Sequence, residues 1–384
     1  MQRLAIYVFY DEYGIVDDYV IRMLESLKKV VRKRVVVVNG FVTEEGRQKL
    51  KSVSECIYVR ENRGYDWGAY KDAVTDYLKE ELFEYNELLL LNNSFIGPFF
   101  PWNIYFDKFS LLNIDFWGIT RWGDNGEDEY PDHIQSYFFV LKHEVFTSEV
   151  FARFMQDIEY KQSFDELVSY EINFTEYLVK NGFKYSTIMD EFANRTKIDF
   201  KEIKFWGEAY NLYPYQLVKN YCVPILKITA ISPTNNYVET IQLIDFLRKN
   251  DLYDINIIKN YIDRIDGIGR ISKFGFKELK EFSTRYSKIY LYGNGIIGRR
   301  LRKYLELNNI KVEGIIVTKK GKKDGEIIEW ENFKPNKDAG VIIAVGKSLR
   351  DEIGNIVIKK VPKEQILFPH DMRHWDDENG AERK

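Results

Sequence analysis

The chain has little cysteine, no long apolar run and almost no net charge. Cys56 and Cys222 are its only cysteines among 384 residues, and they lie far apart in sequence. Neither a disulfide framework nor a thiolate metal site follows, so a reducing cytoplasm is the expected compartment. No apolar run reaches the roughly 20 residues that span a bilayer, so any membrane contact must be peripheral. A formal net charge of −3 does not suggest nucleic acid as a partner.

Apolar and amphipathic stretches alternate along the first 200 residues. The first residues predict an apolar strand, LAIYVFY, and no signal peptide is expected. The pattern predicts strands at 4–10, 34–39, 56–60, 88–91, 116–120 and 135–141. It predicts helices at 17–29, 44–51, 70–82, 151–157 and 172–180. This order is typical of a mostly parallel α/β sheet covered on both faces.

The pattern changes twice further along the chain. From about residue 199 to 283 it is helical and broken by prolines. A new strand, a glycine-rich turn and a helix begin at residue 288, and the end of the chain is polar. We therefore predict an α/β sheet domain at 1–200, a helical extension at 201–284, a small Rossmann-like α/β domain at 285–369 and a disordered tail at 370–384.

The turn ENRGYDWGA combines glycines with polar side chains. Gly64 and Gly68 allow a close approach of the backbone to a ligand, and Asn62, Arg63 and Asp66 supply hydrogen bonds. The planar fork of Arg63 suits a diphosphate, and Asp66 suits a base, a ribose or a sugar hydroxyl. The alternative is a capped helix start with a solvated arginine, and the spacing alone does not decide between the two.

The apolar strand LLLL ends abruptly in Asn92, Asn93 and Ser94. Ligands of open α/β sheets lie outside the carboxyl ends of the strands, where many nucleotide-sugar transferases carry an Asp-x-Asp metal motif. Amides bind Mg²⁺ more weakly than carboxylates. Either a metal is loosely held, with Asn93 as the candidate ligand, or cations such as Arg63 stabilise the leaving diphosphate. The alternative is an Asn-rich turn.

The stretch DHIQS precedes a further apolar strand, YFFVL. His133 near a strand start is suited to orient an acceptor hydroxyl, although a lone histidine is more often structural. Trp117 and Trp122 lie in the same region of the sequence, where a ring can stack on a sugar face. The predicted acceptor-binding residues are Trp117, His133 and Gln135.

Glu171 lies in SYEINFTEYLVKNGF, at the predicted start of the helix 172–180. A carboxylate there can take a proton from an attacking hydroxyl. The helix N-terminus would help to hold it ionised. The alternative is a glutamate that only complements the helix dipole, which is the commoner case.

Gly293, Gly295 and Gly298 form a Gly-x-Gly-x-x-Gly turn between a strand and a helix, the context of a dinucleotide or phosphate turn. The second strand of this unit ends in Thr-Lys-Lys without an acid, which argues against NAD. Basic residues there fit phosphate better, or no ligand at all.

Five segments in this order resemble the rhamnan synthesis protein F family, bacterial glycosyltransferases of surface-polysaccharide assembly. They are ENRGYDWGAY, LLLLNNSFIGPF, DFWGIT, HIQSYFFVLKHEVF and YE-x-x-FT-x-x-L-x-x-x-GF. The resemblance covers roughly residues 1–265. It implies a GT-A-like fold, a nucleotide-sugar donor such as dTDP-rhamnose, a lipid-linked glycan acceptor and a weakly bound Mg²⁺ or Mn²⁺.

The same resemblance assigns roles to individual residues. SYEINFTEYLVKNGF resembles the Glu-Asp-x-Asp-Leu segment of inverting GT-A enzymes, which implies Glu171 as the catalytic base. The implied donor-binding residues are Tyr10, Asn62, Arg63, Gly64, Asp66, Gly68, Asn92, Asn93 and Ser94. Residues 285–369 resemble the small nucleotide-sugar-binding domain of some sugar acetyltransferases. This implies a second nucleotide site at Gly293, Asn294, Gly295 and Gly298.

Two functions compete at this point. The chain is either a glycosyltransferase or a non-catalytic nucleotide-sugar-binding or scaffold subunit whose missing Asp-x-Asp reflects lost chemistry. The expected location is the cytoplasm, with peripheral contact to the inner face of the membrane. Basic residues at 28–34 and 319–323 suit anionic lipids, and the alternative is a solvated surface turn.

Overall fold

A computed structural model of the chain describes residues 1–122, 131–160, 164–192, 209–231, 237–267, 276–295, 298, 301–302, 305, 310–319, 327–345 and 347–368. The chain divides into two compact units. One comprises Met1–Ile228 and Leu243–Tyr261, and the other comprises Thr229–Gln242 and Ile262–Lys384. The predicted boundaries at residues 200, 284 and 369 stay predictions. The predicted disordered tail lies outside the described residues.

The first unit is built on a seven-stranded sheet with two short ribbons beside it. Its strands are β1 (Arg3–Phe9), β2 (Lys33–Asn39), β3 (Cys56–Arg60), β4 (Glu87–Asn92), β5 (Phe95–Ile96), β6 (Phe116–Gly118), β7 (Arg121–Trp122), β8 (His133–Ile134), β9 (Phe138–Lys142), β10 (Tyr185–Thr187) and β11 (Leu226–Lys227). The main sheet has the order β10-β6-β9-β4-β1-β2-β3, and β5 pairs with β11 and β7 with β8. All of its strand pairs are parallel except those of β9.

Helices connect the strands and cover both faces of this sheet. The α-helices in the described parts of the chain are α1 (Asp18–Leu27), α2 (Glu44–Lys51), α3 (Tyr65–Asp72), α4 (Asn103–Ser110), α5 (His143–Phe146), α6 (Glu149–Asp157), α7 (Phe164–Lys180), α8 (Ile188–Glu191), α9 (Ala209–Leu212), α10 (Pro214–Tyr221), α11 (Tyr237–Lys249), α12 (Ile255–Gly267), α13 (Phe276–Arg285) and α14 (Lys347–Val357). Helix α3 continues as a π-helical turn and a 3₁₀ turn, Ala73–Leu78 and Lys79–Glu84. No helix in the described parts of the chain is long and apolar enough to cross a membrane.

The second unit contains a five-stranded, all-parallel sheet. Its strands are β12 (Lys288–Tyr292), β13 (Val312–Val317), β14 (Ile327–Glu329), β15 (Ala339–Ile343) and β16 (Ile366–Leu367). Their order, β14-β13-β12-β15-β16, places the first strand in the middle, as in Rossmann-like sheets. The predicted α/β fold class is confirmed: the first unit has a mostly parallel sheet, and the second unit has a smaller, Rossmann-like parallel sheet.

Aromatic rings fill much of the first core. Trp67 on α3 is almost fully buried, and its ring lies 5.2 Å from that of Phe174 and 5.8 Å from that of Phe154. Phe139 on β9 lies 5.1 Å from Phe174. These contacts fix α3, α6 and α7 on one face of the sheet, and they hold the residues after β3 and β4 in place.

Three predicted boundaries are wrong in ways that matter for the site. Helix α3 begins at Tyr65 instead of residue 70, so Asp66 lies in its first turn. Helix α7 begins at Phe164 instead of residue 172, so Glu171 lies well inside it. The predicted strand 135–141 begins only at Phe138, which leaves Ser136 in a turn between β8 and β9.

We expect two glycines of the turn after β12 to differ sharply in their tolerance of alanine. A Cβ at Gly298 would lie 1.9 Å from the carbonyl oxygen of Gly293, whereas a Cβ at Gly295 would meet nothing within 4 Å. Gly298→Ala should therefore destabilise the second unit, with an overpacking cost of about 1–3 kcal/mol. Gly295→Ala should leave it unchanged. Calorimetric unfolding of both variants measures this, and equal transitions would contradict it.

Candidate active site

Asn92 joins the end of β4 to the start of α3. Its amide nitrogen Nδ2 donates to Oδ2 of Asp66 at 2.6 Å. Its Oδ1 accepts from the backbone N–H of Ser94 at 3.0 Å and from the Ser94 hydroxyl. The sequence separates Asp66 from Asn92 by 26 residues, and the parallel sheet brings them together because both follow the carboxyl ends of strands.

A buried arginine holds the turn before α3. Arg60, the last residue of β3, donates through Nε to Oδ2 of Asp72 at 2.6 Å and through Nη1 to Oδ1 of Asn39 at 2.6 Å. Its Nη2 donates to the carbonyl oxygen of Arg63 at 2.8 Å. Asn39 in turn donates to the carbonyl oxygen of Tyr65 at 3.0 Å. The hydrogen bonds of the charged Arg60 guanidinium therefore hold the turn in place, and such bonds are stronger than those between neutral groups.

The two glycines of this turn are required by the backbone itself. Gly64 adopts a left-handed conformation, with φ of +67°, directly before α3. At Gly68 an added Cβ would lie 2.3 Å from the carbonyl oxygen of Arg63. The prediction that these glycines admit a ligand stays untested, because their local geometry already explains them.

The two polar side chains of the turn differ in their surroundings. The Arg63 side chain is half-exposed, 3.2 Å from Glu61, with its guanidinium 5.0 Å from the ring centre of Tyr160. The Oδ1 atom of Asn62 is buried and accepts no hydrogen bond from any described residue. A buried, unpaired acceptor of this kind costs free energy unless a partner such as a ligand N–H reaches it.

Asn93 faces away from Asp66, toward the end of β1. Its Oδ1 accepts from the backbone N–H of Tyr10 at 3.1 Å, and its Nδ2 donates to the carbonyl oxygen of Tyr10 at 2.9 Å. The Tyr19 hydroxyl donates to its carbonyl oxygen at 2.9 Å. Asn93 thus ties β4 to Tyr10, whose ring is exposed, and its side-chain oxygen is already used. This arrangement does not fit Asn93 as a metal ligand.

Glu171 accepts hydrogen bonds from the turn between β8 and β9. Its Oε2 accepts from the backbone N–H of Ser136 at 2.7 Å and from the Ser136 hydroxyl. Its Oε1 lies 3.7 Å from Nε2 of His133. Removal from water raises the pKa of Glu171, but the interactions with His133 and Ser136 outweigh this and leave the pKa below its usual value. The carboxylate is thus held ionised by these partners and not, as predicted, by a helix N-terminus.

His133 is a partner of Glu171 and is not free to orient an acceptor. It is buried, and its Nδ1 lies 2.8 Å from the carbonyl oxygen of Pro131. A carbonyl oxygen can only accept, so Nδ1 carries a proton and donates to Pro131. Nε2 faces Glu171 and attracts that carboxylate when it too carries a proton, as in the imidazolium form. The ring of Trp122 stacks on the imidazole with 6.1 Å between the ring centres.

The other two predicted acceptor-binding residues also lie inside the protein. Trp117 is fully buried and stacked on Phe109 with ring centres 4.2 Å apart, so it is not available to a sugar. Gln135 is buried, and its Oε1 accepts from the hydroxyl of Thr120 at 2.6 Å. The prediction of an acceptor surface from these two residues does not fit their positions.

Lys227 is the site residue that the sequence analysis missed. It lies on β11, which pairs with β5 just beyond the end of β4. Its Nζ donates to the hydroxyl of Ser94 at 2.7 Å and lies 4.3 Å from the ring centre of Tyr137. The signal was a single lysine within the apolar stretch VPILKITAI. Its position could not be predicted, because Ser94 and Lys227 are 133 residues apart in sequence.

The charges of three side chains interact at this point. Burial lowers the pKa of Lys227 to about 8, although Glu171 and Asp66 both act to raise it. Burial raises the pKa of Asp66 to about 6, against the lowering effects of the Asn92 hydrogen bond and the Lys227 charge. Perturbed groups that gather in one place are typical of functional sites. No group of three or more potential metal-binding side chains occurs among the described residues.

In the glycine turn of the second unit, the backbone of Gly293 contacts neighbouring backbone groups closely. Gly293 has φ of +121°, and its N–H donates to the carbonyl oxygen of Ile316 at 2.8 Å. The space beside Gly295 is open. Asn294 follows β12, at the carboxyl edge of the second sheet. The turn therefore has the predicted strand–turn geometry, while ligand binding there stays a prediction.

We expect replacement of Asp66 by asparagine to change how stability depends on pH. The folded chain binds the Asp66 proton more tightly than the unfolded chain, with a pKa of about 6 against 3.8. Its stabilising contribution is therefore full below pH 4 and is lost as the pH rises through 6. Asp66→Asn should gain stability over the wild type by up to roughly 3 kcal/mol between pH 4 and pH 7.

Urea unfolding of both proteins across this pH range measures the difference. Asp107→Asn, at an exposed aspartate on α4, is the matched control. A stability difference between Asp66→Asn and the wild type that does not change with pH would show that burial does not perturb this carboxyl.

Known proteins resemble parts of the chain. The uncharacterized protein y4gN of Sinorhizobium fredii is 25% identical over 188 residues, which are 48% of this chain and 48% of that protein. Virulence protein VirA of Vibrio anguillarum is 28% identical over 180 residues, 46% of this chain and 54% of that protein. The chain thus spans about half the length of the curated relatives it matches.

Among solved structures, HddC from Yersinia pseudotuberculosis has a TM-score of 0.31 and 14% identity, covering 48% of this chain and 88% of that chain. The family model described as rhamnan synthesis protein F matches residues 34–293, well over half of the chain. This match includes Asn62, Asp66, Asn92, Glu171 and Lys227. The chain belongs to the rhamnan synthesis protein F family.

Proposed function

We propose that the chain is a glycosyltransferase that transfers a sugar from a nucleotide sugar during assembly of a bacterial surface polysaccharide. Membership of the rhamnan synthesis protein F family supports this function. The observation that carries it is the Glu171 carboxylate, held ionised by Ser136 and His133 beside Asp66 and Lys227. Rhamnose from dTDP-rhamnose is the proposed donor sugar, and a lipid-linked glycan is the proposed acceptor.

The proposed reaction is a single displacement with inversion. Glu171 takes the proton of an acceptor hydroxyl, and that oxygen forms a bond to the anomeric carbon. The bond from this carbon to the diphosphate oxygen breaks with its electron pair, so the nucleoside diphosphate leaves. A general base contributes typically 10²–10⁴-fold to such a step. The lowered pKa of Glu171 keeps the carboxylate ionised at neutral pH, which is the form that a general base requires.

The donor is proposed to lie along the ends of β1, β3 and β4. The buried, unpaired Oδ1 of Asn62 is suited to accept an N–H of the base, and the exposed ring of Tyr10 is suited to contact it. Asp66 and Asn92 would face the sugar or ribose. A weakly bound Mg²⁺ or Mn²⁺ is the alternative to a cation that the chain supplies, and it would have to use the Asp66 carboxylate, since Asn93 is used by Tyr10.

Peripheral membrane contact is proposed on a smaller set of basic residues than the sequence suggested. Arg34 is buried and paired with Glu55, and Lys33 is paired with Glu81 at 2.6 Å. The exposed basic residues that remain in this segment are Lys28, Lys29 and Arg32. Each would contribute about 1 kcal/mol of binding free energy to an anionic lipid surface. The second basic stretch, from residue 320 onward, lies outside the described residues.

The second unit is proposed to bind a phosphate-bearing ligand at Gly293, Asn294, Gly295 and Gly298. A turn that leads from a strand into a helix presents free N–H groups to an anion. The second strand ends at Val317 and is followed by Thr318 and Lys319, with no acid to bind a ribose. Calorimetric titration with nucleotide sugars and with NAD tests this, and tight NAD binding would contradict it.

Glu171→Gln should abolish most of the transfer while leaving donor binding intact. The two side chains have nearly the same shape, and glutamine cannot accept a proton, so turnover should fall by roughly 10²–10⁴-fold. Glu176→Gln, on the same helix but paired with Lys180 at the surface, is the control and should keep turnover. Release of nucleoside diphosphate with a panel of nucleotide sugars measures both.

Near-normal turnover in Glu171→Gln would remove this residue from the reaction. A wild-type protein that binds a nucleotide sugar but never turns it over would instead favour a non-catalytic sugar-nucleotide-binding or scaffold subunit.

A further inference from the structure

Lys227 has an unusual setting for a lysine. Its ammonium carries three N–H donors, and Ser94 accepts from it at 2.7 Å. The ring centres of Tyr137 and Tyr210 lie 4.3 and 5.7 Å from its nitrogen. Its charge interacts with Glu171 and Asp66, yet neither of these described carboxylates forms a direct salt bridge with it. The ammonium therefore retains hydrogen-bonding capacity toward an anion that enters the site.

The neighbouring carboxylates are each engaged elsewhere. Glu171 is bound by Ser136 and lies 3.7 Å from the imidazole of His133. Asp66 accepts from Asn92 at 2.6 Å. Lys227 is partly buried, and a desolvated cation is costly where no carboxylate among the described residues pairs with it directly. An incoming diphosphate would supply that counter-ion.

At this strand end the side-chain oxygens of Asn92, Asn93 and Ser94 already accept hydrogen bonds. The Oδ1 atom of Asn92 accepts two hydrogen bonds from Ser94, and that of Asn93 accepts from Tyr10. The Ser94 hydroxyl accepts from Lys227. A divalent cation would have to displace these donors and lie next to an ammonium group, and like charges at short range repel.

We propose that the Lys227 ammonium, in place of a divalent cation, binds the diphosphate of the nucleotide-sugar donor and stabilises it as it leaves. This inference rests on the proposed function. When the bond from the anomeric carbon to the diphosphate breaks, its electron pair goes to the diphosphate oxygen. A fixed ammonium beside that oxygen stabilises the growing negative charge, and stabilisation of this kind is usually the largest single contribution to catalysis. Lys227 stays protonated throughout, and the acceptor proton goes to Glu171.

The test compares diphosphate and nucleoside binding in the presence of EDTA. UDP, dTDP, GDP and CDP and the corresponding nucleosides are titrated into the wild type, Lys227→Met and Lys227→Arg. The control is Lys219→Met, because Lys219 on α10 also lies over a tyrosine ring, that of Tyr215, but is exposed. The wild type should bind one nucleoside diphosphate at least 10-fold more tightly than its nucleoside without any metal.

In Lys227→Met this preference for the diphosphate should disappear, while nucleoside affinity and the control stay unchanged. Lys227→Arg should recover part of it. A second measurement needs no variant: the affinity of the wild type for the diphosphate should fall as the pH rises from 8 to 10. Without ligand the Lys227 ammonium has a pKa of about 8, with Asp66, Glu171, Tyr137 and Tyr210 as the titratable groups around it. The phosphates are fully ionised throughout this range.

Three results would overturn the inference. Undiminished diphosphate binding by Lys227→Met would remove Lys227 from the donor site and leave the proposed function standing. Loss of wild-type binding with EDTA, restored by Mn²⁺, would assign the role to a metal. Failure of the wild type to bind any of the four diphosphates would overturn both the proposed function and this inference.

Discussion

The site depends on one constraint: charged side chains at the ends of β3 and β4 lose contact with water, and other groups must replace that water. A buried ion is tolerated only when other groups replace its hydration. Arg60 meets this condition at each of its three side-chain nitrogens, which donate to Asp72, Asn39 and the Arg63 carbonyl. These hydrogen bonds fix the turn before α3, and that turn positions the residues at 62–68 that are predicted to contact the donor. Removing one partner from such a buried pair would leave an uncompensated charge and is expected to cost several kcal/mol.

Lys227 meets the same condition only in part. It has one hydroxyl acceptor, a tyrosine face and two carboxylates that act on it without a direct salt bridge. The contrast separates a structural ion from a functional one. Arg60 is satisfied within the chain, whereas Lys227 is arranged so that a further anion improves its surroundings. The family match assigns the chain to the rhamnan synthesis protein F family. The difference between Arg60 and Lys227 indicates that the reaction should be sought near Lys227.

Sequence patterns predicted the sheet well, because apolar strands alternating with amphipathic helices leave few other folds. They also predicted Asn92 at the end of an apolar strand and Asp66 in the turn after another, although Asp66 lies in the first turn of α3, and the family resemblance singled out Glu171. They could not supply the pairing of β5 with β11, which brings in Lys227, since nothing local encodes a contact across 133 residues. They misplaced the start of α7, so the ionisation of Glu171 was attributed to a helix dipole instead of to Ser136 and His133. Trp117 was predicted to stack on a sugar because the sequence alone does not distinguish a buried tryptophan from an exposed one.

The asparagine at position 92 has a physical reason in this arrangement. Its amide donates to the Asp66 carboxylate at 2.6 Å and accepts from Ser94 on its other side. An aspartate there could not donate, and two carboxylates at that distance force one of them to bind a proton. The amide therefore allows Asp66 to keep a negative charge beside Lys227, which an acidic metal motif at the same strand end would not. The missing Asp-x-Asp and the partly buried Lys227 then belong together, because the chain itself supplies the positive charge that a metal ion would otherwise bring.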